Sequence, residues 1–129
     1  MASSYNNLKV LIVEDSADAR ITLKSMLLEL EITQVFEAAD GMEALEFIDS
    51  SPDLVDLIVC DWNMPMLTGV EFLRQVRSVY ADMPFLMVTG RNDIDSVIEA
   101  KQSGVTAYIT KPFSFHELQS KLDKVIQCI

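Results

Sequence analysis

Cysteine and histidine are scarce in this sequence of 129 residues. The two cysteines, Cys60 and Cys128, lie far apart in the chain, and His116 is the only histidine. Neither the spacing nor the residue types fit a zinc site or a disulfide framework. A reducing cytoplasm is therefore the simplest location for the protein. We interpret His116 as an exposed residue at the start of the last predicted helix, not as a catalyst.

Positive charge and long apolar runs are also lacking. Ten Lys and Arg stand against twenty Asp and Glu, which gives a formal net charge of −10. Such a surface repels phosphate backbones, so nucleic-acid binding is not expected. No apolar run reaches the length of a membrane span, so membrane insertion is not expected either. Residues 1–7 are polar, lack the apolar region of a signal peptide, and are predicted to be a flexible N-terminal tail.

The sequence does contain a regular alternation of two patterns. Short apolar runs rich in β-branched residues predict buried strands, and the segments between them carry apolar residues at the three-and-four spacing of amphipathic helices. This alternation predicts a single α/β domain over residues 8–129, with a parallel sheet covered by helices on both faces. The predicted strands are Leu8–Val13, Gln34–Ala38 at an edge, Asp56–Cys60, Phe85–Val88 and Ala107–Thr110.

Capping residues mark several ends of the predicted helices. Asp15 or Ser16 is suited to begin the first helix, and Ser114 is suited to begin the last. The fourth helix is predicted over Asp93–Gln102. Gly104 follows it in the position of a left-handed C-terminal cap.

Polar side chains stand at the ends of four predicted strands. Glu14 and Asp15 follow the first strand, Asp61 follows the third, Thr89 ends the fourth and Lys111 follows the fifth. Ligands bind beyond the carboxyl ends of parallel strands, so we expect these side chains to meet at one edge. Carboxylates without His or Cys suit a hard cation, Mg²⁺ before a transition metal. Because an amine suits an anion, the set predicts a site for a phosphoryl group, with a carboxylate as the nucleophile.

Each of these residues also has an ordinary interpretation. An aspartate after a strand is usually a turn former or a helix cap, which is the main alternative for Asp15. Asp61 could lie in an ordinary loop, Lys111 could be a surface lysine and Thr89 a strand-end hydroxyl. Their joint placement at one edge of the predicted sheet favours the site over coincidence.

Five segments of the sequence, taken in their order along the chain, resemble the receiver domain of two-component response regulators. The segment DWNMP in particular is similar to single-domain chemotaxis regulators. The resemblance covers residues 8–129 and implies a flavodoxin-like sheet with strand order 2-1-3-4-5. The matching segments are VLIVED (Val10–Asp15), ADGMEAL (Ala39–Leu45), CDWNMP (Cys60–Pro65), TG (Thr89–Gly90) and AYITKPF (Ala107–Phe113).

The resemblance implies a role for each matching residue of the acidic set. Asp61 would accept a phosphoryl group from a histidine kinase or a phosphotransfer protein. Asp15, Asp61 and the backbone carbonyl of Asn63 would bind Mg²⁺ directly, and Glu14 would act through water.

The resemblance also implies a relay from the site to a partner. Lys111 would pair with the phosphoryl group, and its bond to Pro112 would be cis. Thr89 would be the switch hydroxyl and Tyr108 the switch aromatic. The face of the fourth helix, the fifth strand and the fifth helix would then bind a downstream target protein. The protein would be a regulatory domain and not an enzyme, apart from its own phosphorylation and dephosphorylation.

Several residues depart from the commonest pattern of the family. Thr68 replaces an aspartate outside the metal set, where little effect is expected. Glu14 replaces a frequent aspartate, and its extra methylene is expected to weaken or reposition the contact to Mg²⁺. Arg91 and Asn63 occupy positions that tune the lifetime of the phosphoryl group, in a direction that the sequence leaves open.

The sequence leaves three alternatives to this function. The sequence is compatible with a receiver domain cut from a larger multidomain regulator. An aspartate-nucleophile phosphatase usually carries a second acid two residues after the nucleophile, where this chain has Asn63. A flavin-binding module of the same architecture is disfavoured, because acids occupy the first strand–helix turn where glycine or hydroxyl residues would hold a phosphate.

Overall fold

The computed structural model describes residue 5, residues 7–127 and residue 129. Within this part of the chain, five strands and five helices alternate, as the sequence predicts. The strands are β1 (Lys9–Val13), β2 (Gln34–Ala38), β3 (Leu57–Cys60), β4 (Phe85–Thr89) and β5 (Ala107–Thr110); the helices are α1 (Ala17–Glu29), α2 (Gly41–Ser50), α3 (Gly69–Val79), α4 (Ile94–Gln102) and α5 (Phe115–Ile126), with a short 3₁₀ turn at Pro52–Leu54.

The five strands form one parallel sheet in the order β2-β1-β3-β4-β5. The predicted α/β fold and its strand order are therefore confirmed. The register aligns the carboxyl ends of neighbouring strands, since Val13 lies opposite Cys60 and Thr89 lies opposite Thr110. The residues that follow these strands consequently emerge at the same edge of the sheet.

The core lies on both faces of the sheet, because alternate residues of each strand point to opposite sides. On β1, Leu11 and Val13 pack with α2, α3 and α4, whereas Val10 and Ile12 pack with α1 and α5. Both sets are fully buried. A strand covered on both faces reads as a continuous apolar run, which explains why the first strand was visible in the sequence.

Side-chain caps begin every helix in the described part of the chain. Thr68 and Ser114 each form a capping box, with Glu71 and Glu117 respectively as the reciprocal partner. Gly104 has a φ of 96° after α4, which confirms its predicted left-handed conformation. The five N-caps are Ser16, Asp40, Thr68, Asp93 and Ser114.

The boundaries differ from the prediction by one residue in several places. β1 and β3 begin at Lys9 and Leu57 rather than Leu8 and Asp56, and Asp93 caps α4 instead of opening it.

The predicted N-terminal tail differs at one described position. Residues 1–4 and 6 lie outside the described residues. Tyr5 is buried, and its hydroxyl donates a hydrogen bond to Asp123 of α5. The contacts of the domain therefore reach Tyr5, three residues before the predicted start of the domain. None of the described helices has the length and hydropathy that crossing a membrane requires.

Candidate functional site

Three carboxylates converge at the carboxyl edge of the sheet. Glu14 and Asp15 follow β1, and Asp61 follows β3, the strand paired directly with β1. Each offers an oxygen, and these oxygens lie within 4.8 Å of one another. Glu14 is buried, whereas Asp15 is exposed. The structure thus brings together the acids that the sequence singles out.

Lys111 brings a positive charge to these acids from β5. Its Nζ lies 2.8 Å from Glu14 Oε1 and 3.6 Å from Asp61 Oδ2. The peptide bond to Pro112 is cis, as the resemblance implied. The other oxygen of Asp61, Oδ1, accepts a hydrogen bond of 2.7 Å from the backbone N–H of Trp62. One oxygen of Asp61 is therefore fixed by the backbone, and the other faces the amine.

The crowding of charge shifts two pKa values. The pKa of Asp15 is raised by its hydrogen bond with Glu14, by burial and by the charge of Glu14. Burial acts to lower the pKa of Lys111, but the hydrogen bond that the amine donates to Glu14 and the charge of Asp61 outweigh it, so this pKa is raised. Both directions are those expected where three acids surround one amine.

This donor set fits a hard divalent cation. The converging groups are carboxylate oxygens from two neighbouring strands, and Mg²⁺ prefers oxygen ligands. A bound cation would offset the repulsion that raises the pKa of Asp15. Asp15 and Asp61, together with Glu14, are the residues that would hold it.

Thr89 and Tyr108 lie on adjacent strands beside the acidic set. Thr89 is fully buried at the end of β4, and its hydroxyl accepts a hydrogen bond of 3.3 Å from the backbone N–H of Arg91. Tyr108 is half-buried on β5, and its hydroxyl donates to the backbone carbonyl of Arg91 at 2.5 Å. The two predicted switch residues therefore both contact the backbone of Arg91, in the loop that leads into α4.

The side chain of Arg91 reaches back towards the loop after Asp61. Its Nε donates to Asn63 Oδ1 at 3.1 Å, and its guanidinium carbon lies 5.0 Å from the centre of the Trp62 ring. A cation over an indole face is attracted by the ring. Arg91 and Asn63, whose effect on the lifetime of the phosphoryl group the sequence leaves open, are therefore linked to each other beside Asp61.

Two residues that support the site were not recognised from the sequence as doing so. A Cβ at Gly69 would lie 2.1 Å from the backbone oxygen of Asp61, so only glycine allows α3 to begin this close to that loop. Arg20 donates from Nη1 to the backbone carbonyl of Glu14 at 2.6 Å. No sequence signal marks the contact of Arg20 or the close approach of Gly69 to the backbone of Asp61.

The sequence pattern of the response regulator receiver domain matches residues 10–123, and the chain belongs to this family. It is 40% identical over 122 residues to the chemotaxis protein CheY of Pseudomonas aeruginosa, covering 93% of this chain and 97% of the relative. It is 37% identical over 123 residues to chemotaxis protein CheY-3 of Vibrio cholerae, covering 94% and 93%.

Solved structures agree with this assignment. The Vibrio cholerae chemotaxis protein CheY4 superposes with a TM-score of 0.82 at 37% identity, covering 92% of this chain and 98% of that one. A response regulator receiver domain protein from Clostridium thermocellum gives a TM-score of 0.84 at 26% identity, covering 93% and 94%. The chain is therefore a regulatory receiver domain of the phosphorylation-signalling class, similar to chemotaxis response regulators.

Proposed function

We propose that the protein is a phosphorylation-dependent switch in which Asp61 is the phosphoacceptor. A free oxygen of the Asp61 carboxylate attacks phosphorus, the bond from phosphorus to the donor breaks, and an acyl phosphate forms. The observation that supports this best is the setting of Asp61. One of its oxygens is held by the Trp62 N–H at 2.7 Å, and the other points towards Lys111 at 3.6 Å.

The surrounding residues have complementary roles in this proposal. Asp15, Asp61 and the backbone carbonyl of Asn63 bind Mg²⁺, and Glu14 contributes through water. The cation supplies charge neutralisation for the transferring phosphoryl oxygens. Lys111 moves its amine onto the phosphoryl group, where a single positive charge balances the added negative charge.

The signal then passes to the surface. Thr89 turns its hydroxyl to the phosphoryl oxygens, and its hydrogen bond from the backbone N–H of Arg91 breaks. The backbone carbonyl of Arg91 accepts the hydrogen bond from Tyr108, so this change also reaches Tyr108. The loop before α4 therefore responds to the state of the site. On α4, Ile94 and Ile98 are 75% and 45% exposed and lie one helical turn apart. We assign the face of α4, β5 and α5 to a downstream protein, favoured in one of the two states.

The proposed phosphodonor is the phosphohistidine of a histidine kinase or of a phosphotransfer protein in the cytoplasm. Relatives that match over more than nine tenths of their length carry the name chemotaxis protein, which supports a place in chemotaxis signalling. This proposal holds equally for the domain alone and for the domain as part of a longer regulator.

Mass measurement of the intact protein tests the phosphoacceptor. Wild type incubated with acetyl phosphate and Mg²⁺ is expected to gain one phosphoryl group, and Asp61→Asn is expected to gain none. Asp53→Asn is the matched control, because it removes one exposed charge from the 3₁₀ turn and should leave uptake intact. Equal uptake by Asp61→Asn and wild type would contradict the assignment.

The same material separates the switch from a phosphatase. A small phosphate ester should give many turnovers with a phosphatase and no sustained turnover with a receiver switch. A phosphatase of this type would carry its second acid at position 63. This chain has the amide of Asn63 there, and its side-chain oxygen accepts a hydrogen bond from Arg91.

A further inference from the structure

The closest acidic partner of the Lys111 amine is Glu14, not the proposed phosphoacceptor. The distance from Nζ is 2.8 Å to Glu14 and 3.6 Å to Asp61. The first distance is that of a charge-assisted hydrogen bond, and the second is too long for one. The Glu14 side chain is 6% exposed and that of Lys111 is 35% exposed, so water competes only weakly for this bond.

Glu14 is held in position to make this contact. Its backbone carbonyl accepts from Arg20 at 2.6 Å, and its second carboxylate oxygen, Oε2, accepts from the Ser16 N–H at 3.2 Å. Glu14 is therefore anchored through its backbone carbonyl and through one carboxylate oxygen, while the other oxygen, Oε1, faces Lys111. An aspartate at this position would withdraw the carboxylate by about one carbon–carbon bond, 1.5 Å. The extra methylene of glutamate is what closes the distance.

This bond opposes the proposed phosphorylation. Lys111 has to place its amine beside the phosphoryl group on Asp61, and Glu14 has to turn towards the cation. Neither movement is compatible with a 2.8 Å bond between them. The resting arrangement therefore lowers the fraction of molecules in which the amine is available to an incoming anion.

We infer that Glu14 is a positioning residue that holds the Lys111 amine closer to itself than to Asp61, and that this contact would be released when Glu14 turns towards a cation in the acidic set. This inference rests on the proposed function, because it assigns a regulatory step to the same site. It would make cation binding and phosphoryl binding mutually supportive, because a Glu14 side chain turned towards the cation would no longer hold the Lys111 amine, which could then pair with the phosphoryl group. An aspartate in place of Glu14 would not reach the Lys111 amine in this arrangement.

The position of the amine is measured directly by NMR of the protein labelled with ¹³C at the lysine ε carbons, with the Lys111 signal assigned through Lys111→Arg. Without metal or phosphodonor, Glu14→Asp is expected to move this signal strongly, and Asp61→Asn only slightly. Glu14→Gln, which keeps the length and removes the charge, is the second variant and is expected to move it as well. A larger shift in Asp61→Asn than in either Glu14 variant overturns the inference.

Magnesium supplies the second measurement. Addition of Mg²⁺ to wild type is expected to move the Lys111 signal towards the position that it has in metal-free Glu14→Asp. Addition of Mg²⁺ to Glu14→Asp is expected to move the Lys111 signal of that variant only slightly. Equal shifts in both proteins overturn the inference.

Phosphoryl uptake supplies the third measurement. At subsaturating Mg²⁺, the acetyl phosphate concentration that gives half-maximal phosphorylation is expected to be about tenfold lower in Glu14→Asp than in wild type. This factor corresponds to the loss of one charge-assisted hydrogen bond, between Glu14 and Lys111. An unchanged or higher value also overturns the inference. Failure of the proposed function itself is distinct, because wild type would then take up no phosphoryl group whatever the Lys111 signal shows.

Discussion

Neutralising Asp15 is expected to change the stability of this protein in opposite directions with and without Mg²⁺. The variant is Asp15→Asn, which keeps the shape of the side chain and removes its charge. Folding raises the pKa of Asp15, so the folded chain holds this proton more readily than the unfolded chain does. The charged form of Asp15 therefore destabilises the fold at neutral pH, and its removal should stabilise the metal-free protein.

The magnitude follows from the distances at the site. Two unit charges at the outer limit of 4.8 Å repel by about 3.5 kcal/mol at an effective dielectric of 20, before solvent screening is counted. Asp15 is exposed and Lys111 offsets part of the repulsion, so solvent screening reduces the gain to about 1 kcal/mol. For a chain of this length, that gain corresponds to a rise of about 4 °C in Tm.

Magnesium should reverse this order. At a concentration 100 times the dissociation constant, a ligand that binds only the folded state stabilises it by about 2.7 kcal/mol. Wild type should receive this gain, and Asp15→Asn should lose most of it because the variant lacks a proposed direct ligand. Thermal unfolding followed by circular dichroism, in a chelator and in saturating Mg²⁺, measures both differences.

The control for this experiment is Glu46→Gln, which removes the same charge from an exposed position on α2. It should behave as wild type does towards Mg²⁺. The reasoning is refuted if Asp15→Asn is less stable than wild type in the chelator, or if Mg²⁺ leaves the Tm of wild type unchanged.

Three further outcomes test other parts of the structure. Gly69→Ala should destabilise the fold by about 3 kcal/mol and impair phosphoryl uptake, because the added Cβ would clash with the backbone of Asp61. Gly90→Ala is the control, since no atom lies within 4 Å of the added Cβ, and its free energy of unfolding in urea should stay close to that of wild type. Tyr5→Phe should be less stable than wild type at neutral pH. This difference in stability should disappear above about pH 10, because the phenol of Tyr5 ionises in the unfolded chain there, whereas its raised pKa keeps it protonated in the folded chain, so that wild type loses stability. Urea titrations across that pH range measure the difference. Thr89→Ala should take up a phosphoryl group without the change in amide hydrogen exchange at α4 that phosphorylation causes in wild type, and Thr89→Ser should restore that change; a full response in Thr89→Ala would remove this hydroxyl from the relay.

The fold was accessible from the sequence because its strongest signals are local. Buried parallel strands read as short apolar runs, and four of the five predicted strands have a polar residue where the chain leaves the sheet. The end of β1 at Val13 and the end of β3 at Cys60 lie side by side in register, so acids that are 46 positions apart in the chain become neighbours. The carboxyl-edge rule for parallel sheets was enough to group Asp15 with Asp61.

The partners within the site were not accessible in the same way. Which acid Lys111 prefers depends on a difference of 0.8 Å between two distances, 2.8 Å and 3.6 Å, set by the length of Glu14 and by its anchors at Ser16 and Arg20. The bridge from Arg91 likewise depends on how a long side chain crosses a loop. Periodicity and strand-end position carry no information about such rotamers, because they fix only where a backbone enters the site.

The two tests of the acidic set address different properties of it. Stability reports the sum of the charges, so Asp15→Asn responds in the same direction whichever acid holds Lys111. The Lys111 signal reports which carboxylate the amine contacts, and it does so without any cation or phosphodonor present. A protein that showed the magnesium-dependent reversal but no effect of Glu14→Asp would bind its cation with the amine already on Asp61. In such a protein, the cation and the amine would act on the incoming phosphoryl group independently, and the extra methylene of Glu14 would be without consequence for that amine.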